Sequence, residues 1–155
     1  MQFLVAFLSL PFYIGLWSFL NFYIKYIGAF IYLFFEISLT LTTLSDPGVV
    51  TKKYFLENYK ADKTVVKNFR ICRKCNVVMD LDKGTSHCVE CGICVMNNDH
   101  HCPWTSKCVG KKNLWIFNCF LVSLFSHIVY LIFALVSLAV YSASVHKNNK
   151  IKNKF

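Results

Sequence analysis

Long apolar runs occupy both ends of the chain, and a polar stretch separates them. Residues Met1 to about Tyr23 read MQFLVAFLSLPFYIGLWSFLNFY and are nearly all apolar. A helix that crosses a bilayer needs about 20 such residues. The pattern therefore predicts a span over about residues 2–23, kinked at Pro11. A cleaved leader would want a positive start and a small-residue cleavage site. No Lys or Arg precedes Lys25 and no Ala-x-Ala site stands out, so a retained span is expected. Lys25 marks a short turn at the membrane surface, and a second span follows over about residues 27–44. Its one charge, Glu36, reads as a helix contact rather than a functional acid. Ser45-Asp46-Pro47-Gly48 ends that helix, since proline cannot continue it and glycine permits the turn. A third apolar run over about residues 114–143 predicts a third span. Cys119 and His127 lie in it and read as packing residues.

Charge follows the same division. Of 155 residues, 55% are hydrophobic and 16% charged, too apolar for an ordinary soluble domain. The net charge of +9 suggests either nucleic acid or anionic lipid. Its distribution decides, because Lys and Arg avoid the apolar runs and gather in the central stretch and the last nine residues. That is the pattern of a membrane protein with a basic cytosolic loop, and a nucleic-acid partner is not expected. Residues Thr51 to Arg70 read as a solvated basic linker facing anionic lipid.

The central stretch from Cys72 to Cys108 holds seven of the eight cysteines and three of the five histidines. Cys72 and Cys75 form one Cys-x-x-Cys pair, and Cys88, Cys91 and Cys94 form an overlapping run. His87, His100, His101, Cys102 and Cys108 complete the set. Such turns aim two thiolates at one metal, and structural zinc takes four ligands in a tetrahedron. Thiolates at metal-ligand spacing also imply a reducing, cytosolic setting. Ten groups are available, so two closed sites would use eight and leave two. The leftovers are either incidental or a thiol and imidazole paired for covalent catalysis. Spacing alone does not choose between these. The module should be loop-rich, with strand pieces at Val77, Val78 and Val95, and should fold on its metal.

Asp99-His100-His101-Cys102-Pro103-Trp104, with Cys108-Val109-Gly110 and Asn113, resembles the signature of the DHHC family of protein S-acyltransferases, the palmitoyltransferases. The resemblance covers Cys72 to Asn113 in detail, and Asp46-Pro47-Gly48 with the apolar segments more loosely. It implies two interleaved structural zinc ions. One would be held by Cys72, Cys75, His87 and Cys94, the other by Cys88, Cys91, His101 and Cys108. It also implies that Cys102 is the nucleophile, His100 its base and Asp99 the group that orients His100. The co-substrate would be a fatty acyl-CoA such as palmitoyl-CoA, and the acceptors cysteines of target proteins. Lys107, Lys111 and Lys112 would meet the CoA phosphates or simply flank the third span, and Trp104 would anchor at the interface. Two departures stand out: the gap from Cys75 to His87 is longer than usual in the family, and Lys107 replaces the usual Asn.

The expected fold class is an α-helical multi-span membrane protein with a small, loop-rich, zinc-binding cytosolic cysteine-rich domain. It has two spans within residues 1–48, a linker and zinc domain over 49–113, a third span over 114–143 and a basic tail over 144–155. The setting would be an endomembrane, whether Golgi, endoplasmic reticulum or plasma membrane, with the zinc domain in the cytosol. The family implies a fourth span and a Thr-Thr-x-Glu motif, which this sequence lacks. The expected function is S-acyl transfer from acyl-CoA through Cys102 to target cysteines, with a membrane-anchored zinc scaffold or a shortened, catalytically impaired enzyme as the alternative. Three spans would place the basic tail in the lumen, against the positive-inside pattern.

Overall fold

The computed structural model describes residues 22–53 and 68–153. Their order is a helix, six short strands and a second helix: α1 (Phe22–Leu44), β1 (Phe69–Cys72), β2 (Val77–Asp80), β3 (Ser86–Cys88), β4 (Ile93–Val95), β5 (His100–Cys102), β6 (Lys107–Val109) and α2 (Leu114–Lys152). The first expected span, about residues 2–23, falls almost wholly outside the described residues. Both helices are long and apolar enough to cross a membrane.

Two boundaries differ from the sequence expectation. Helix α1 runs straight through Lys25, where a turn was expected. A lysine is a good helix former, and no proline lies near it to stop the ladder. Helix α2 has 39 residues and continues past Ala143 through most of the basic tail. Nothing from Leu114 to Lys152 is Gly or Pro, so no local signal breaks it. Lys150 and Lys152 in its last turn complement the negative end of the helix dipole.

The described residues fall into two compact units. The first comprises 22–38 of α1 and 120–153 of α2. Its contacts combine close apolar packing with hydroxyl hydrogen bonds, a combination that suits helices in an apolar medium. Tyr130 and Ala134 pack against Ile24 and Ile31. Ser38 and Ser123 share a 2.6 Å hydrogen bond, and Tyr130 donates to the Ile24 carbonyl at 3.2 Å. His127 is buried and stacks on Phe35 with ring centroids 4.9 Å apart. Glu36 Oε1 is buried with no hydrogen-bond partner among the described residues.

The second unit, Leu39–Cys119, holds the cysteine-rich module. Three antiparallel hairpins follow one another: β1–β2, β3–β4 and β5–β6. Each is too small to bury a core of its own, and one buried cluster among them is Val50, Cys72, Val77, Met79, Cys94 and Met96. The segment after α1 threads between them. Val50 N–H donates to the Cys94 carbonyl at 2.8 Å, and Met96 N–H to the Gly48 carbonyl at 2.9 Å. Asp46 Oδ1 accepts from the N–H groups of Gly48 and Val49, which closes the turn out of α1. Its other oxygen takes Lys112 Nζ at 2.8 Å. Burial works against ionising Asp46, but Lys112 and the two N–H groups outweigh it and hold the carboxyl at about 2. A depressed carboxyl contributes stability above its ordinary value of about 3.9, and the contribution is lost as pH falls towards 2. Both partners are half exposed, which limits the pair to under about 1 kcal/mol.

Buried Asn113 joins the last hairpin to α2. Its Oδ1 accepts from Gly110 N–H at 2.8 Å, and its Nδ2 donates to the Cys108 carbonyl at 3.0 Å. Gly110 lies where three segments meet: an added Cβ would stand 2.5 Å from Val95 Cγ1 and 2.6 Å from the Pro47 carbonyl oxygen. Gly110→Ala is expected to cost about 1–3 kcal/mol through overpacking. A thermal unfolding midpoint equal to that of the wild type would show that the neighbours yield freely.

Candidate metal and thiol centre

The three hairpins share one turn. Cys72 pairs with Val77, Cys88 with Ile93 and Cys102 with Lys107 across the open end of a four-residue loop. In each loop the residue before the returning strand takes a left-handed conformation: Asn76 at φ 53°, Gly92 at 67° and Ser106 at 52°. In the first two hairpins the N–H of the second cysteine donates back to the sulfur of the first, Cys75 to Cys72 at 3.5 Å and Cys91 to Cys88 at 3.4 Å. This is the geometry of a metal knuckle, with two thiols aimed at one point.

Strand alternation supplies the remaining donors, because successive side chains on a strand point to opposite faces. His87 and Cys94 are cross-strand partners on β3–β4 and face the knuckle of the first hairpin. His101 and Cys108 are partners on β5–β6 and face the knuckle of the second. Two clusters result, Cys72, Cys75, His87 and Cys94, then Cys88, Cys91, His101 and Cys108, with the ligand atoms of each within 4.8 Å of one another. His87 Nδ1 stands 3.2 Å from Cys75 Sγ, 3.6 Å from Cys72 and 3.8 Å from Cys94. His101 Nδ1 stands 3.2 Å from Cys91, 3.7 Å from Cys88 and 4.0 Å from Cys108. A tetrahedral zinc would set sulfur and nitrogen ligands about 3.5 Å apart, so both donor sets fit that ion. Burial and the neighbouring cysteines push the Cys94 and Cys108 thiols up, whereas the Cys75 N–H helps hold Cys72 down.

The third hairpin repeats the pattern with one change. His87-Cys88-x-x-Cys91-x-x-Cys94 recurs fourteen positions later as His101-Cys102-x-x-Thr105-x-x-Cys108. This repeat is legible in the sequence once the two segments are aligned. Cys102 thus occupies the place of a first knuckle cysteine, and buried Thr105 that of the second. The Thr105 hydroxyl donates to the Cys102 carbonyl at 3.4 Å. No metal cluster among the described residues includes Cys102. His100 lies two residues before it on β5, hence on the same strand face. His100 Nδ1 is 3.2 Å from Asp99 Oδ2, and its ring meets the edge of Phe117 at 5.2 Å. With Nδ1–H donated to the carboxylate, Nε2 remains the acceptor. The adjacent Asp99 and His100 therefore do meet, as the orienting role requires.

The three lysines that the charge pattern offered to CoA are placed differently from one another. Lys107 Nζ donates to the Thr43 carbonyl at 2.8 Å, Lys112 pairs with Asp46, and Lys111 is exposed. Trp104 is 70% exposed beside Cys102, and Cys119 is exposed on α2.

Residues 65–155 match the DHHC palmitoyltransferase family, and the chain belongs to that family. Among curated relatives, palmitoyltransferase ZDHHC18-A of Danio rerio is 32% identical over 127 residues, covering 68% of this chain and 27% of its own length. Palmitoyltransferase ZDHHC5 of Bos taurus is 34% identical over 112 residues, 65% of this chain and 15% of the relative. The same enzyme of Homo sapiens is 33% identical over 113 residues, 66% of this chain and 16% of the relative. The chain thus spans less than a third of the length of these relatives.

Thr105→Cys is expected to restore the missing thiol and turn the Cys102 loop into a third knuckle. A trivalent arsenical, which needs two thiols, should then block Cys102 in that variant but not in wild type or Thr105→Ser. Mass spectrometry of the adduct reads the outcome, and an unreactive Thr105→Cys would show that the third loop is not equivalent to the others.

Proposed function

We propose that this chain is a protein S-acyltransferase that carries a fatty acyl group from acyl-CoA, through a thioester on Cys102, to cysteines of target proteins. The observation that carries this reading is the sorting of cysteines in the module. Six converge in two metal-ligand clusters, while Cys102 stands apart from both, on the strand face of an Asp99-oriented His100. Each cluster would hold one zinc ion with every position filled by protein, so the metal fixes the hairpins and takes no part in the chemistry.

His100 Nε2 accepts the Cys102 proton, and Asp99 stabilises the resulting imidazolium. Cys102 Sγ bonds to the acyl carbonyl carbon as the carbon–sulfur bond to CoA breaks, and the CoA thiolate leaves with the proton from His100. A target thiol, deprotonated by His100, then takes the acyl group and returns Cys102 to its thiol. The apolar helices suit a bilayer setting that shelters the acyl chain. Exposed Lys111 is best placed to meet CoA phosphate, because Lys107 and Lys112 are engaged elsewhere. The module would face the cytosol of an endomembrane, where acyl-CoA is found and thiols stay reduced.

Cys102→Ser should keep two zinc ions per chain and lose hydroxylamine-sensitive labelling by a fatty-acyl probe. Release of zinc by that variant would make Cys102 a ligand and end the mechanism. His100→Ala should also keep both metals while losing about 10²–10⁴-fold in rate. Cys88→Ala, by contrast, should lose metal and unfold the module, since metal binding supplies its folding free energy. Elemental analysis that finds one zinc or none in the wild-type chain would refute the two-site assignment.

A further inference from the structure

Lys107 departs from the family pattern, and its side chain does something that neither charge nor spacing suggests. Its Nζ reaches 2.8 Å from the carbonyl oxygen of Thr43, in the last turn of α1. Carbonyls at a helix C-terminus lack intrahelical partners and carry the negative end of the dipole, so a cation there is favoured. Helix α1 has no basic residue of its own in that turn. The cation instead comes from 64 positions along the chain.

The strand that delivers it is the one paired with the nucleophile. Lys107 is the cross-strand partner of Cys102 in β5–β6. Such partners project to the same face with Cβ atoms about 5 Å apart. The backbone that carries Cys102 and the ammonium that holds the end of α1 are therefore one rigid rung. A second tie lies just beyond the helix, where Lys112 N–H meets the Pro47 carbonyl and Lys112 Nζ meets Asp46.

We propose that Lys107 is a positioning residue for acyl transfer. By capping the last turn of α1 it fixes Cys102 at a set distance from the point where that helix ends, the level at which the thioester carbonyl must be presented to the thiol. The proposal rests on the acyl-transfer reading for its rate effect, but the tie itself is independent of that reading.

The test uses the full chain with Cys119 replaced by serine, comparing wild-type Lys107 with Lys107→Met and Lys107→Arg. Self-acylation is followed against palmitoyl-CoA concentration, zinc is counted, and alkylation of Cys102 by a bulky maleimide is timed without acyl-CoA. Lys107→Met should keep both zincs and an unchanged KM. Its maximal rate should fall about ten- to a hundredfold through misplacement of the nucleophile. Buried Cys102 should alkylate faster in that variant, and Lys107→Arg should restore both readouts. A raised KM with an unchanged maximal rate would instead make Lys107 a CoA contact and overturn the proposal. Loss of zinc in Lys107→Met would overturn it too, by reducing Lys107 to a stability role. If wild type takes up no acyl group, the transfer reading fails and alkylation alone decides the tie: faster in Lys107→Met and restored by Lys107→Arg upholds it, and no difference overturns it.

Discussion

A thiolate set against two others in a partly buried site is stable only if a cation sits among them. That constraint governs the whole cysteine-rich module. Its hairpins have strands of three or four residues and share only a few buried apolar side chains. Neither backbone pairing nor hydrophobic burial on that scale holds a fold together. What joins hairpin to hairpin is the four-donor cluster, in which two ligands come from the turn of one and two from the strands of the next. A metal held in each cluster would therefore act as a cross-link between neighbouring hairpins.

The polypeptide around the clusters is arranged to leave little else free to move. The Asp46-Pro47-Gly48 turn is stitched to β4 by backbone bonds, Gly110 admits the Pro47 carbonyl and Val95 at close range, and Asn113 binds β6 to the start of α2. The loose family signature before the module and the strict one within it thus describe one packed object. None of Asp46, Gly110 and Asn113 belongs to either donor cluster. Their role is to hold the β5–β6 hairpin, and Cys102 with it, against the ends of both helices.

Much of this was legible in the residues. Cys-x-x-Cys spacing announces knuckles because the turn geometry that converges two thiols is local, and apolar runs announce helices long enough to cross a bilayer because that test asks for length and composition alone. The ligand sets came from family resemblance, since ten donors can be divided into fours in many ways and only the strand pairing selects one. Other features were illegible for definite reasons. Helix α1 passes Lys25 because a single charge does not end a helix, so a hydropathy break is not a structural one. Helix α2 outruns its apolar stretch because nothing in Ser144 to Lys152 stops it. The bond from Lys107 to Thr43 joins residues far apart in sequence, and no local pattern encodes it.

The alternation of β5 has a further consequence. His100, His101 and Cys102 are consecutive, yet they divide between two faces purely by parity: the odd residue joins a cluster of metal-ligand donors, and the even residues take the opposite face. Nothing in the side chains themselves separates His100 from His101. A single residue inserted between Asp99 and His100 would exchange the two faces, turning His100 to the donor cluster and His101 away from it, with composition almost unchanged. In this segment the reading frame of the strand, more than the identity of the residues, keeps the imidazole of the donor cluster distinct from the one on the Cys102 face.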